Sequence, residues 1–306
     1  MRSLGLPTVS ALVVSLFAIS SSAALIAYAA APALAIAFWR NALAVGLIAP
    51  VAVVRRRHQL AELLRPGEGR RAGWLCVLAG LALAVHFGTW VPSAKLTSVA
   101  TATALVATQP VWAALIARLR GIAVPAATWL GVAVAVVGAA LATGADVSVS
   151  ARAVAGDVLA LVAGLAGAIY TTYGERARAT TSTLAYTTVC YTVCAAVLGL
   201  VCLAGGVSLH GYPAQAWLAI VALTAGPQLL GHSLLNYTLR RISATTLSVL
   251  MLLEVPGAAL LGWVLVDQVP ALRSLPGLVV LVAGVGIAVL GSGRRRAATS
   301  AVPAEL

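Results

Sequence analysis

The chain has 306 residues, of which 61% are hydrophobic and only 9% charged, with a mean hydropathy of +1.00. A water-soluble domain carries roughly 25% charged residues, so the composition excludes a soluble enzyme or binding domain and requires an integral membrane protein. The net charge of +12 would fit a nucleic-acid partner if it formed one folded basic face. The arginines instead fall in short turns between apolar runs, which is a topology signal and excludes that partner.

Crossing a bilayer takes roughly 20 mostly apolar helical residues. In chain order the sequence predicts ten such spans: 8–28, 33–54, 73–92, 98–117, 124–143, 154–173, 182–204, 214–238, 243–265 and 274–292. The opening "MRSLGLPTVSALVVSLFAISSSAALIAYAA" has the look of a secretory signal, but its long apolar part, followed by many more, reads as an uncleaved first span. The second span carries Arg40 within "AFWRNALA", and the third carries His86 and Trp90. The fourth holds Gln109 and Pro110, the sixth Tyr170, the eighth Gln228, His232 and Asn236, and the ninth Glu254 and Pro256. Cys76, Cys190, Cys194 and Cys202 all lie inside apolar runs, as small hydrophobes do, and imply neither a disulfide framework nor a metal site.

With the amino terminus in the cytoplasm, 16 lysines and arginines fall inside and three (Lys95, Arg152 and Arg273) outside. Basic residues accumulate in short cytoplasmic loops, so both termini are expected inside, most simply in a bacterial cell membrane.

A shift of 146 residues lays one half of the chain over the other. "KLTSVATATALVATQPVWAALIARL" (95–119) then covers "RISATTLSVLMLLEVPGAALLGWVL" (241–265), placing Pro110 on Pro256, Gly131 on Gly277, Gly138 on Gly284 and His86 on His232. The units are expected at 8–143 and 154–292, with a cytoplasmic tail at 293–306. Five is odd, so the second unit must enter the membrane from the opposite face. The expected fold is an all-α membrane protein of ten transmembrane helices in two inverted five-helix repeats, a layout typical of secondary transporters.

The segments "GDVLALVAGLAGAIYTTYGE" (156–175) and "LLNYTLRRISATTLSVLMLLEVPGAALLGWVLVDQ" (234–268), with "AIAFWRNALA" (35–44) and "LVATQPVWAALIA" (105–117), resemble the EamA-type transporters of the drug/metabolite transporter superfamily. The resemblance implies a ten-helix bundle with cytoplasmic termini that exports amino acids, other metabolites or toxic compounds. Val255 separates Glu254 from Pro256, where the family often has Glu directly followed by Pro, and Asp267-Gln268 stands where it tends to have Gly-Glu.

An intramembrane carboxylate is ruinous against lipid, but in a wet cavity it can titrate or hold a cation. Glu254 is therefore the expected coupling site, the alternative being a hydrogen-bonded carboxyl that ties helices together. Arg40 either snorkels to the outer interface or meets Glu254 or a substrate carboxylate. His86 and His232 are expected near opposite mouths of the pathway, as proton relays or as hydrogen-bonded core residues. Gln228, His232 and Asn236 recur every four residues and form one polar stripe, facing a cavity or a helix interface. Trp90, Tyr170 and Gln109 are expected around that cavity, with Trp39 as a further wall or interfacial anchor. Pro110 and Pro256 should bend their helices, and Gly131, Gly138, Gly284 and Gly286 should permit close packing.

No phosphate-binding loop or catalytic motif calls for a cofactor, a metal or an enzyme. The expected function is secondary export of a small molecule by alternating access, coupled to protons. A non-transporting membrane assembly subunit and an uptake carrier of the same fold are the alternatives. A ten-helix bundle is large enough to work alone, and a homodimer remains open.

Overall fold

The computed structural model describes residues 5–97, 99–143, 150–266 and 275–300. Arg2, Asp267, Gln268, Arg273 and the end of the expected tail lie outside the described residues. The described residues contain helices and turns and no strand.

The first half comprises α1 (Leu6–Ser20), α2 (Ser22–Tyr28), α3 (Ala33–Glu62), α4 (Glu68–Leu96), α5 (Val99–Val106), α6 (Gln109–Leu119) and α7 (Ala126–Thr143). The second comprises α8 (Ala151–Arg178), α9 (Thr183–Ala204), α10 (Ala214–Leu223), a π-helix over Thr224–His232, α11 (Ser233–Thr238), α12 (Ala244–Met251), α13 (Glu254–Val266) and α14 (Leu275–Ser300). Several of these are pieces of one segment, joined end to end across a break. Among the described residues, seven segments are long and apolar enough to cross a membrane, and three shorter apolar helices (Ala126–Leu141, Ala244–Ala258 and Leu275–Leu290) fall where the sequence predicts the remaining spans. The outer surface carries exposed apolar side chains such as Leu6, Phe17, Leu200, Leu218 and Val279, a coat that hydrocarbon solvates and water does not. The chain is a multi-pass membrane protein.

Local chemistry sets the helix ends. Ser150, Ser182 and Ser243 each accept a hydrogen bond from the backbone N–H three residues on, at 3.2, 3.3 and 3.2 Å, opening α8, α9 and α12. Arg176 and Arg178 lie in the last turn of α8, where a cation complements the exposed carbonyls. Gly121 closes α6 at φ +76, a left-handed conformation that suits glycine, with Ile122 N–H donating back to Ala117 O at 2.9 Å.

Packing repeats between the halves. α4 lies along α8, and the equivalent second-half segment (α10 through α11) lies along α1. α6 meets α8, and α13 meets α1. The pairs α3–α9, α6–α12 and α7–α14 join equivalent segments to each other. At the last of these, a Cβ on Gly131 would sit 2.6 Å from Gly284 O, and one on Gly138 would sit 2.9 Å from Gly277 O. The 146-residue shift converts one contact into the other, so the seam is self-complementary, as across a twofold axis. Gly286, by contrast, faces open space. Overpacking costs about 1–3 kcal/mol, and at Gly138 the obstruction is the backbone N of Leu281, which cannot swing aside as a side chain could. Gly138→Val is therefore expected to lower the melting temperature of the detergent-solubilised protein, whereas Gly286→Ala leaves it unchanged.

Candidate functional site

Two broken helices meet at the centre. The break between α5 and α6 precedes Gln109-Pro110, and the break between α12 and α13 precedes Glu254-Val255-Pro256. Proline lacks an N–H and fits the first turn of a helix better than its interior. What the sequence expects as bends at Pro110 and Pro256 are therefore restarts of the helix. Pro110 stands in the first two positions of α6, and Glu254 opens α13. The first turn of α13 is tied to the preceding piece, Val255 N–H donating to Leu252 O and Gly257 N–H to Leu253 O, both at 3.1 Å.

Glu254, His86, Trp90, Gln109, Pro110 and His232 line one cavity, together with Phe87, Ser248 and other residues. Ser20 Oγ reaches the Glu254 carbonyl at 3.3 Å, fixing α1 against this restart. Gln109 Nε2 donates to Ser248 Oγ at 3.2 Å, linking α6 to α12 across the halves. The cavity volume is ≈ 50 Å³, enough for a few waters and too little for a bulky solute.

The histidines are not at opposite mouths, as the sequence suggests. Their ring centroids lie 6.3 Å apart, both on this cavity. Residues related by a twofold axis meet when they sit close to it, and the linear count of residues from a helix end cannot reveal that. His86 Nδ1 lies 2.9 Å from Ala163 O, so this nitrogen carries the proton and Nε2 of the neutral ring is an acceptor. Among the described residues His232 Nδ1 has no partner; the ring packs edge-on against Phe87 at 5.2 Å.

Arg40 does not snorkel: it is 0% exposed. Its Nε donates to Gln228 Oε1 at 3.0 Å and its guanidinium carbon lies 4.1 Å from the centroid of Phe87, a cation–π contact. Nη1 and Nη2 are buried without a hydrogen-bond acceptor among the described residues. Ion pairs among the described residues are confined to exposed Arg65–Glu62 and Arg71–Glu68, so Arg40 and Glu254 are not paired.

The polar stripe of the eighth segment separates into distinct roles. Gln228 and His232 lie on the π-helix and Asn236 on α11. Gln228 also donates to Asn41 Oδ1 at 3.0 Å, and Asn236 Oδ1 accepts from Tyr170 OH at 2.8 Å. Gln228, Asn236 and Tyr170 are buried at helix interfaces; only His232 of the stripe reaches the cavity. Trp39 is an anchor, its Nε1 donating to Leu209 O at 2.9 Å beside Trp217.

Sequence reasoning passed over Phe87, Ser248 and Arg178. Phe87 interposes its ring between Arg40 and the cavity, a role that adjacency to His86 alone does not indicate. Arg178 counted as a loop charge, yet it is 3% exposed and donates to the carbonyls of Asn236 and Thr181.

This arrangement of paired halves agrees with the comparisons. A solved structure described as "Crystal structure of protein" shares the fold at a TM-score of 0.75 and 20% identity, covering 92% of this chain and 97% of that one. No curated protein matches. The model of the EamA-like transporter family matches twice, over residues 6–144 and 154–290. With both halves accounted for in this way, the chain belongs to the EamA-like transporter family, a family of membrane transporters.

Proposed function

We propose that the chain is a secondary exporter of small metabolites, with ten crossings, both termini in the cytoplasm and the second half inverted relative to the first. The observation that carries this reading is the cavity itself. It lies between the halves, is lined by the equivalent residues His86 and His232, and holds Glu254 at the restart of a broken helix. Broken helices near the midplane are where such carriers bind substrate and coupling ions. The contacts that recur between the halves support two packings of similar energy, one open to each side. The excess of arginine at one set of turns supports the orientation. Glu254 takes up and releases the coupling proton in this scheme, His86 and His232 relay it, and Arg40 meets the anionic group of the substrate once Phe87 swings aside.

Proteoliposomes test the proposal. Loaded with unlabelled amino acids or organic acids, they are expected to draw in the labelled compound by counterflow, saturably and beyond protein-free vesicles. An assembly subunit shows no counterflow with any member of the panel. Under an imposed proton gradient, export requires solute and proton to move in opposite directions; movement in the same direction identifies an uptake carrier.

A further inference from the structure

A second recess opens at the end of the bundle that bears the arginine-rich turns, away from the central cavity. Its volume is ≈ 380 Å³, and its walls come from α3, the α8–α9 turn and the α11–α12 turn. Arg55, Arg56, Arg178, Arg240 and Arg241 line it, and no carboxylate does. Positive charge at helix ends is ordinary in membrane proteins. Five arginines from three separate stretches of chain around one concavity are a narrower observation.

Arg178 is the buried member, and its described acceptors are neutral carbonyls, so its charge is not balanced. Arg241 Nη1 donates to Thr8 Oγ1 at 2.6 Å. Arg55, Arg56 and Arg240 have no hydrogen-bond or ion-pair partner among the described residues, which leaves three forks free. α9 also begins here. The Ser182 side chain caps Ala185 N–H, while the first-turn N–H groups at Thr183 and Leu184, both on the recess wall, have no acceptor inside the helix. Free first-turn N–H groups and planar guanidinium forks are the two protein groups best matched to a tetrahedral oxyanion.

We propose that this recess binds a phosphate-bearing anion, either a phospholipid headgroup from the adjoining leaflet or a free phosphate. The charge recommends phosphate over carboxylate, because several forks converge on one volume and a phosphate offers them more oxygens. The site stands independently of any transport activity.

The test uses the full chain in nanodiscs of zwitterionic phosphatidylcholine, with radiolabelled orthophosphate in one arm and phosphatidylglycerol mixed into the disc in the other. Saturable retention of one phosphatidylglycerol per chain, read by native mass spectrometry, assigns the lipid source. Saturable orthophosphate binding in the lipid-neutral disc assigns the free anion. Arg55→Gln with Arg240→Gln is expected to weaken whichever binds by about tenfold or more, since two charge-assisted contacts are lost. Arg118→Gln with Arg120→Gln, which removes two exposed charges that do not line the recess, is expected to leave binding unchanged. Equal weakening by the two pairs reduces the effect to general surface charge and overturns the proposal. No saturable binding of either ligand overturns it as well. Far-ultraviolet circular dichroism and size-exclusion profiles matching wild type identify the variants as folded.

Discussion

Glu254→Gln is expected to abolish uphill, pH-driven export while leaving counterflow exchange of the same solute intact. The amide keeps the shape and the hydrogen bonding of the carboxyl but cannot take up or release a proton in the physiological range. Exchange needs only that the loaded cavity change sides; net export needs a proton to return through it. Glu254 is half-buried, faces the cavity and opens α13 without a described side-chain partner, so the substitution breaks no observed contact. Removing a group that transfers a proton costs about 10²–10⁴ in rate, and the loss should appear in net flux across the whole pH range. Wild-type pH dependence in the glutamine variant would remove Glu254 from the coupling scheme. Loss of exchange together with net export would show instead that it binds the solute.

Arg40→Met is expected to separate transport from stability. A buried cation without a counter-charge is costly, and its replacement by an apolar residue of similar length is often neutral or stabilising. Against that relief stand the lost bond from the charged guanidinium to Gln228, worth about 1.5–3 kcal/mol, and the lost contact with Phe87. The melting temperature of the variant should therefore stay near or above that of wild type. Affinity for carboxylate-bearing solutes should fall by about 2–4 kcal/mol, roughly 30- to 1000-fold, because a buried charge that meets an opposite charge contributes on that scale. A panel of solutes with and without a carboxylate is the appropriate measurement. Equal losses across the panel would mean that Arg40 organises Gln228 and Asn41 and does not touch the solute. A lower melting temperature with unaltered affinity would leave it a purely structural residue.

Much of this architecture is legible in the sequence because lipid imposes few solutions. Apolar length gives the segments, the turns give the arginines, and mates such as Gly131 with Gly277 give the repeat. The central site is legible only in part. Glu254 and Gln109 are conspicuous as polar residues in apolar runs, and both reach the cavity. Gln228 and Asn236 are equally conspicuous but spend their polarity on neighbouring helices, and periodicity does not distinguish these fates. Phe87 is invisible to such reasoning, since an aromatic residue among apolar ones carries no signal until its neighbours are known. The closeness of His86 and His232 depends on helix tilt and on where an axis passes, neither of which a one-dimensional pattern contains.

The nine-residue π-helix over Thr224–His232 gives the eighth segment a mechanical property. A π-turn stores one more residue per turn than the α-form does, and such wide turns recur at functional positions. Tightening this stretch into ordinary helix would lengthen it and screw one end round relative to the other, since each residue passed along an α-helix turns it by about 100°. The imidazole on its last turn would then leave its twin, and the amide of α11 would let go of the Tyr170 hydroxyl. One local rewinding would thus reset, in a single stroke, the grips that hold this rod to α4 and to α8.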